Sequence, residues 1–419
     1  MNVDFQRKLD RIVGAPLCRL LSLLPRARRR AAEAPPPKKI LVILLSEMGS
    51  LVLAQPMFRN LRSRYPQASL YALVFQQNKE VLELLDVVPE GNIIAIRNAS
   101  LTTFVKDALA ALRTLRFIHL DVVIDCELFA RVGAILSLLS KAPVRVGFER
   151  HTQEGLYRGS FINRRVLYNP YQHIAQQFLT LSYAIEGHGA PTVKRRSIES
   201  ELVLSPMALR DGEIDATRAH FEGSYPSAKQ RRLVLLYPGG GALPVRAWPK
   251  ESFQSLAAKL IADDYVVGIV GLAPDKPLAR AIRDGLATHE RDHCIDVTGY
   301  TKTVRELMLL FHLAELLVTN DGGPGHFASM TPMPSIILFG PETPSLYGSL
   351  DRRTVHFFRG LSCSPCLTAY NHRASPCDGD NQCLKTIEPD EVWAAARKIL
   401  SAGKNGRETG PRNTRERDL

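Results

Sequence analysis

A chain of 419 residues exceeds what one ordinary hydrophobic core organises and divides most economically into two domains of roughly 150–200 residues. Hydrophobic residues at 45% and charged residues at 23% are ordinary for a soluble globular protein. The formal charge of +12 is concentrated at one end: residues 1–40 hold ten Lys or Arg against three Asp or Glu, which is +7 of the total, so a nucleic-acid footprint spread over the folded body is not indicated.

Residues 12–24, IVGAPLCRLLSLL, form an apolar run broken by Pro16 and Arg19 and followed by Pro25 and the cluster Arg26, Arg28, Arg29 and Arg30. The run is too short and interrupted to span a bilayer and lacks the small-residue cleavage site of a secretory signal. Two readings stand. A helix with Ile12, Val13, Leu17, Leu20, Leu21 and Leu24 inward packs on the protein, or the same face with the Arg cluster lies on an anionic inner leaflet. AAEAPPPKK then reads as an extended linker, which sets residues 1–37 apart from the rest of the chain.

The strand KILVILL leads into SEMGSLVLAQP, a Gly-containing turn with one carboxylate, Glu47, and one hydroxyl, Ser50, ahead of a helix from about Leu51 to Tyr65. Next come SLYALVF, a helix near Lys79–Leu85, NIIAI, a helix near Thr102–Arg116, DVVIDC, a helix near Arg131–Leu139, and RVGF. Residues 150–230 resist assignment and contain the crossover. The second half repeats the scheme: RLVLLYP, a helix over Lys250–Ala262, YVVGIVG, a helix near Pro277–Leu286, CIDVTG, a helix near Val304–Leu313, LLVTND, a helix near Gly325–Met330, and SIILFGP. Near-continuous Val/Ile/Leu strands separated by helices predict parallel sheets covered on both faces. The economical architecture is α/β, with two doubly wound domains, 38–200 and 201–400, facing across a cleft. The tail 401–419 lacks apolar residues and reads as disordered.

Three strand ends carry chemistry. PGGGA, with Gly241 and Ala242 at its end, follows RLVLL and leads to Arg246; glycines let backbone approach a ligand, and a guanidinium beside backbone N–H groups suits a phosphate. A plain tight turn has the same composition. In TNDGGPGH, Asp321, Gly322, Gly323 and His326 precede and open a helix whose N–H groups suit a diphosphate, and His326 fits a surface or capping histidine equally well. In GLAPD, Asp275 suits ribose hydroxyls, and a solvated loop acid fits equally well. Of seven Cys, the odd count without a secretory signal favours a reducing cytoplasm. Four of them, Cys363, Cys366, Cys377 and Cys383, have the look of a tetrathiolate zinc site, although the second pair is not CxxC.

The order of SEMGS-LVLAQP, PGGG…VRAWP, VTNDGGPGH and IILFGPETP resembles glycosyltransferase family 9, the family of the ADP-heptose:lipopolysaccharide heptosyltransferases, over about Lys39 to Trp393. The resemblance implies GT-B architecture: two Rossmann-like domains, the first holding an acceptor and the second a nucleotide diphosphate sugar. It further implies metal-independent transfer with inversion, a lipid-linked or lipopolysaccharide saccharide acceptor, no nucleic acid, and a cytoplasmic position peripheral to the inner membrane. On the residues that match, it assigns the donor-phosphate loop to Gly241 and Ala242, the phosphate-binding cation to Arg246 where the family has Lys, and the ribose acid to Asp275. The Asp-x-Gly-x-x-His signature falls on Asp321, Gly323 and His326. At the first turn the family pattern carries a catalytic Asp where this chain has Ser50, which leaves Glu47, three residues earlier, as a relocated base, a base elsewhere on the cleft wall, or else a nucleotide-sugar-binding relative with impaired transfer. Similar cysteine tails occur in members that need no metal for chemistry, so a reduced thiol cluster or a structural site fits the four cysteines better than a catalytic one.

Overall fold

The computed structural model describes residues 3–23, 35–45, 47–128, 130–149, 157–187, 199–229, 231–241, 243–368, 375, 377 and 380–408. Leu24, Arg26–Arg30, Ala242 and the residues beyond Glu408 lie outside these. The chain forms two compact units: Met1–Ala208 with Pro341–Leu350 and Ser362–Asp378, and Leu209–Gly340 with Asp351–Leu361 and Gly379–Leu419. Cys363, Cys366 and Cys377 thus belong to the first and Cys383 to the second.

The first unit carries an all-parallel sheet of β1 (Lys39–Ile43), β2 (Ser69–Phe75), β3 (Ile93–Ile96), β4 (Val122–Asp125), β5 (Val144–Phe148) and β6 (Arg164–Val166), in the order β3-β2-β1-β4-β5-β6. The second carries β7 (Arg232–Tyr237), β8 (Tyr265–Ile269), β9 (Cys294–Asp296), β10 (Leu316–Asn320), β11 (Ser335–Phe339) and β12 (Thr354–Phe358), in the order β12-β11-β10-β7-β8-β9. Counted within its own unit, each sheet has the same doubly wound order. Each reverses direction once, between β1 and β4 and between β7 and β10, and ligands of such sheets bind at the strand C-termini beside that reversal. The central strands β1, β4, β7, β8, β10 and β11 are buried almost throughout, because helices cover both faces.

Both edge strands at one side of each sheet, β6 and β12, were not legible as strands. β6 is three residues long with two arginines, and β12 is partly exposed, so neither shows the apolar run of a central strand. The helix expected over Leu51–Tyr65 is two, Met48–Leu53 and Gln55–Arg64, and Pro56 in the first turn of the second accounts for the break. Of the tail 401–419 expected to be disordered, residues 401–408 continue the helix Pro389–Glu408, and the rest lie outside the described residues. Val392, Ala396 and Leu400 are buried at a spacing of four, and a helix nucleated by that stripe propagates cheaply into polar residues.

The amino-terminal segment is helical over Val3–Leu9 and Ala15–Leu21, joined by a wider π-turn at Asp10–Gly14. It docks on the first unit, but of the described apolar residues named for an inward face only Leu21 packs inward. Gly14 and Cys18 are buried, with Cys18 against Ala134 and Phe161, whereas Ile12 is 70%, Val13 52% and Leu20 64% exposed. Asp10 explains the choice. Its Oδ1 accepts from the backbone N of Arg131 at 2.8 Å and its Oδ2 from Arg131 Nη1 at 2.5 Å. Helix Arg131–Leu139 begins after Ala130, which has no side chain to cap it, so Asp10 supplies the acceptor from another part of the chain. Asp10→Ala removes that cap and one side of a largely buried ion pair. We expect a loss of about 3 kcal/mol, read as a lower Tm, and faster tryptic cleavage at Lys8 and Arg19; unchanged Tm and cleavage would refute the docking.

Candidate active site

In the second unit β7 and β10 end side by side, and one side chain stitches the loops beyond them. The buried Asn320, last residue of β10, donates from Nδ2 to Pro238 O at 2.9 Å and Gly239 O at 3.2 Å, while its Oδ1 accepts from Trp248 N at 2.9 Å. Trp248, itself buried, donates from its indole nitrogen to Ile387 O at 3.0 Å. The segment from Pro238 to Trp248, which carries the glycines and Arg246, is therefore fixed at both ends. Its shape needs glycine where the backbone folds on itself: a Cβ on Gly240 would lie 2.9 Å from Leu243 O, and Gly241 has φ +59°.

Arg246 lies in the short turn Pro244–Arg246, with its side chain 12% exposed and its Nε 3.7 Å from Asp321 Oδ2. That distance neutralises charge without being a hydrogen bond. Asp321 continues from β10, its N donating to Leu338 O of β11 at 3.0 Å. Gly322 then leads extended into the helix Gly323–Ala328. This helix sits hard against the sheet, since a Cβ on Gly325 would come within 2.6 Å of Ile337 Cδ1. His326, the next residue, is buried on the same turn. Asp275 arrives from the end of β8. Its Oδ2 accepts from Leu272 N at 2.8 Å, capping its own turn, and the carboxylate stands over Gly239 and Gly271. Burial, with the Asp275 charge beside it, pushes the Tyr237 phenol up to about 12.

The structure thus brings Gly241, Arg246, Asp275, Asp321, Gly322, Gly323 and His326 to one end of one sheet, with a cation, two acids and closely approachable backbone together. A 530 Å³ cavity at the opposite end of this sheet is a poor competitor. Its charges satisfy one another, Arg232 with Glu315 at 2.6 Å and Arg231 with Asp264 at 3.0 Å.

The corresponding reversal in the first unit holds the Glu47–Ser50 turn. Glu47 is exposed, with φ 35° and ψ 118°, a left-handed conformation for a residue with a Cβ, which costs about 1–3 kcal/mol. Ser50 lies half-buried in the helix Met48–Leu53, its N donating to Glu47 O at 3.1 Å. Sequence reasoning missed the buried acids beside this turn. Asp125 accepts from Arg158 Nη2 at 2.6 Å, and Glu127 accepts from Leu45 N at 2.7 Å. Burial pushes the Asp125 carboxyl up, partly offset by the Arg158 charge. The signal available was the pair of acids closing DVVIDCE, polar residues at the end of an otherwise apolar strand. Among the described residues no group of three or more His, Cys, Asp or Glu is placed to hold a metal ion.

Paired doubly wound domains, the second with glycine-rich, cation-bearing loops where its strand order reverses, follow the GT-B plan of a glycosyltransferase. The model of glycosyltransferase family 9 (heptosyltransferase) matches residues 109–374, well over half of the chain, and the chain belongs to that family. Lipopolysaccharide heptosyltransferase 2 of Salmonella typhimurium is 23% identical over 359 residues, covering 85% of this chain and 97% of the relative. The solved structure of E. coli ADP-heptose lps heptosyltransferase II superposes with a TM-score of 0.68 at 21% identity, over 87% of this chain and 99% of that one. E. coli heptosyltransferase WaaC with ADP superposes with a TM-score of 0.60 at 16% identity, over 86% and 99%.

Asn320→Ala removes three hydrogen bonds that hold the Pro238–Trp248 loop. It leaves buried backbone groups unsatisfied at a cost of about 1–3 kcal/mol. Hydrogen exchange at the Trp248 amide is expected to speed about 10- to 100-fold; exchange at the parental rate would show that Asn320 does not hold this loop.

Proposed function

We propose that this glycosyltransferase moves a heptose from ADP-heptose to a sugar of the lipopolysaccharide core or a related lipid-linked saccharide, with inversion and without a metal ion. The observation that carries the reading is the grouping of Arg246, Asp321 and His326 with the Asn320-stitched glycine loop at the strand ends of the second unit. The relatives' names support the sugar and acceptor, and the ADP of one fold neighbour supports the nucleotide.

In the proposed reaction an acceptor hydroxyl oxygen attacks the anomeric carbon as the bond from that carbon to the β-phosphate oxygen breaks. Negative charge develops on the leaving diphosphate, where the Arg246 guanidinium and the start of the helix Gly323–Ala328 stabilise it. Asp275 takes the ribose hydroxyls. The acceptor's proton passes to Glu47, because Ser50 is neutral at physiological pH and has no lone pair basic enough for the task. Glu47→Gln is expected to lower kcat about 10²- to 10⁴-fold with ADP affinity unchanged. Turnover at the parental rate would remove Glu47 from the chemistry. Ser50 supports a second reading, a nucleotide-sugar-binding relative with impaired transfer, for which the parent binds ADP-heptose without turnover on any lipopolysaccharide acceptor.

The same proposal places the protein at the cytoplasmic face of the inner membrane. No helix among the described residues is long and apolar enough to cross one. The docked amino-terminal segment instead presents Phe5, Ile12, Val13, Leu20 and Leu23 outward, the last 81% exposed, beside Arg7, Lys8, Arg11 and Arg19. An apolar face rimmed by cations suits anionic lipid. Ile12→Glu with Leu20→Glu is expected to weaken co-sedimentation with phosphatidylglycerol vesicles by about tenfold or more, given the loss of two aliphatic groups worth roughly 1.5–3 kcal/mol each when fully buried. Binding that survives both changes would refute the assignment.

A further inference from the structure

The backbone ladder of β1 runs out before its last apolar residue. The final bonds are Leu44 N to Leu73 O at 3.1 Å on the β2 side and Cys126 N to Ile43 O at 3.0 Å on the β4 side. Leu45 follows, two residues before Glu47, and its peptide groups are taken up by side chains. Leu45 N donates to Glu127 Oε1 at 2.7 Å, and Leu45 O accepts from Asn78 Nδ2 at 2.7 Å. Glu127 comes from the end of β4 and Asn78 from beyond β2, so the chain just past the central strand is gripped from both flanks. Both side chains are buried, at 1% and 2% exposure.

The grip is itself supported. Glu127 N donates to Asp125 Oδ1 at 3.1 Å, and Asp125 Oδ2 accepts from Arg158 Nη2 at 2.6 Å, while Arg158 Nε donates to Ala130 O at 3.0 Å. Gly133 lets the helix Arg131–Leu139 close on these acids, since a Cβ there would stand 2.6 Å from Asp125 Oδ1 and 3.2 Å from Glu127 Cγ. A buried carboxylate is a costly way to hold one amide, and charge-assisted bonds of this kind fix geometry more firmly than neutral ones. What it fixes is the entry to a turn whose Glu47 sits at φ 35°, a conformation that persists only where the surroundings over-determine it.

We infer that Glu127 and Asn78 are positioning residues for sugar transfer, clamping Leu45 so that the strained turn bearing Glu47 and Ser50 is held in one orientation. The inference rests on the transferase reading above and adds to it two residues that do not touch the reacting atoms. Loosening the clamp displaces the turn, and misplacement by about 1 Å costs on the order of 10²-fold in rate.

The test uses the full-length protein carrying Glu127→Ala, Glu127→Gln or Asn78→Ala. It reads kcat, the KM for each substrate, ADP affinity, and hydrogen exchange at Leu45 and at Met48–Ser50. Glu127→Ala and Asn78→Ala are expected to lower kcat at least tenfold and speed exchange at those amides, with ADP affinity within twofold of the parent's. Glu127→Gln keeps an Oε1 that accepts from Leu45 N and is expected to restore most of the rate. Parental kcat and parental exchange in both alanine variants would overturn the clamp. So would a loss in Glu127→Gln as deep as in Glu127→Ala with parental exchange at Leu45, since the side chain would then act other than through its bond to Leu45. Should Glu127→Ala fail to fold, Asn78→Ala, which leaves the buried acid in place, decides. A parent that turns over no sugar sinks the transferase reading, while the exchange rates still judge the clamp.

Discussion

A parallel sheet ends with a problem: at the C-terminal edge the strands stop at different heights, and their last peptide groups lose the neighbour that would have paired them. Buried backbone donors and acceptors without partners are costly, so some other group must take them up. In both units of this protein the group is a buried polar side chain placed where the strand order reverses. Asn320 does it in the second unit, holding Pro238, Gly239 and Trp248. Glu127 and Asn78 do it in the first, holding Leu45. The loops so held are those that carry the glycines, Arg246, Glu47 and Ser50. Satisfying the ends of the sheets and aiming the chemistry are therefore one physical act, and the residues responsible are not those that would meet a substrate.

Much of the fold was legible because its central strands are buried on both faces and read as continuous Val/Ile/Leu runs. Helices such as Arg131–Leu139 and Lys250–Ala262 fall where the apolar periodicity places them. The strands that escaped, β6 and β12, sit at edges where one flank needs no apolar partner. The cluster at the strand ends of the second unit was legible for a related reason. Glycines, an acid and a histidine packed into TNDGGPGH are costly in a buried strand end unless a ligand or a tight turn requires them, and Gly325 shows the steric part of that requirement. The stitching by Asn320 and the clamp by Glu127 and Asn78 were not legible, since each joins residues 33 to 82 positions apart in the chain. Spacing within a motif carries no information about such pairs.

The amino-terminal segment shows how a local pattern misleads about direction. Its large apolar residues fitted either a covered face or a membrane-facing one, and the covered face is the narrow one of Gly14, Cys18 and Leu21. Asp10 and its bonds to Arg131 outweigh the larger side chains, because an ion pair that also caps a helix fixes the rotation of the whole segment. The outward face that remains is wide, apolar and bordered by basic residues.

The division of the polypeptide has a consequence for how such proteins diversify. The trace passes between units at 208/209, 340/341, 350/351, 361/362 and 378/379, five times in all. The returning stretches are tied into the first unit, with His173 Nε2 2.9 Å from Gly348 O, and Cys366 N and Leu367 N both donating to Pro341 O. No single cut in a gene would release either half whole. Recombination that trades either unit between members of the family must exchange several separate stretches at once.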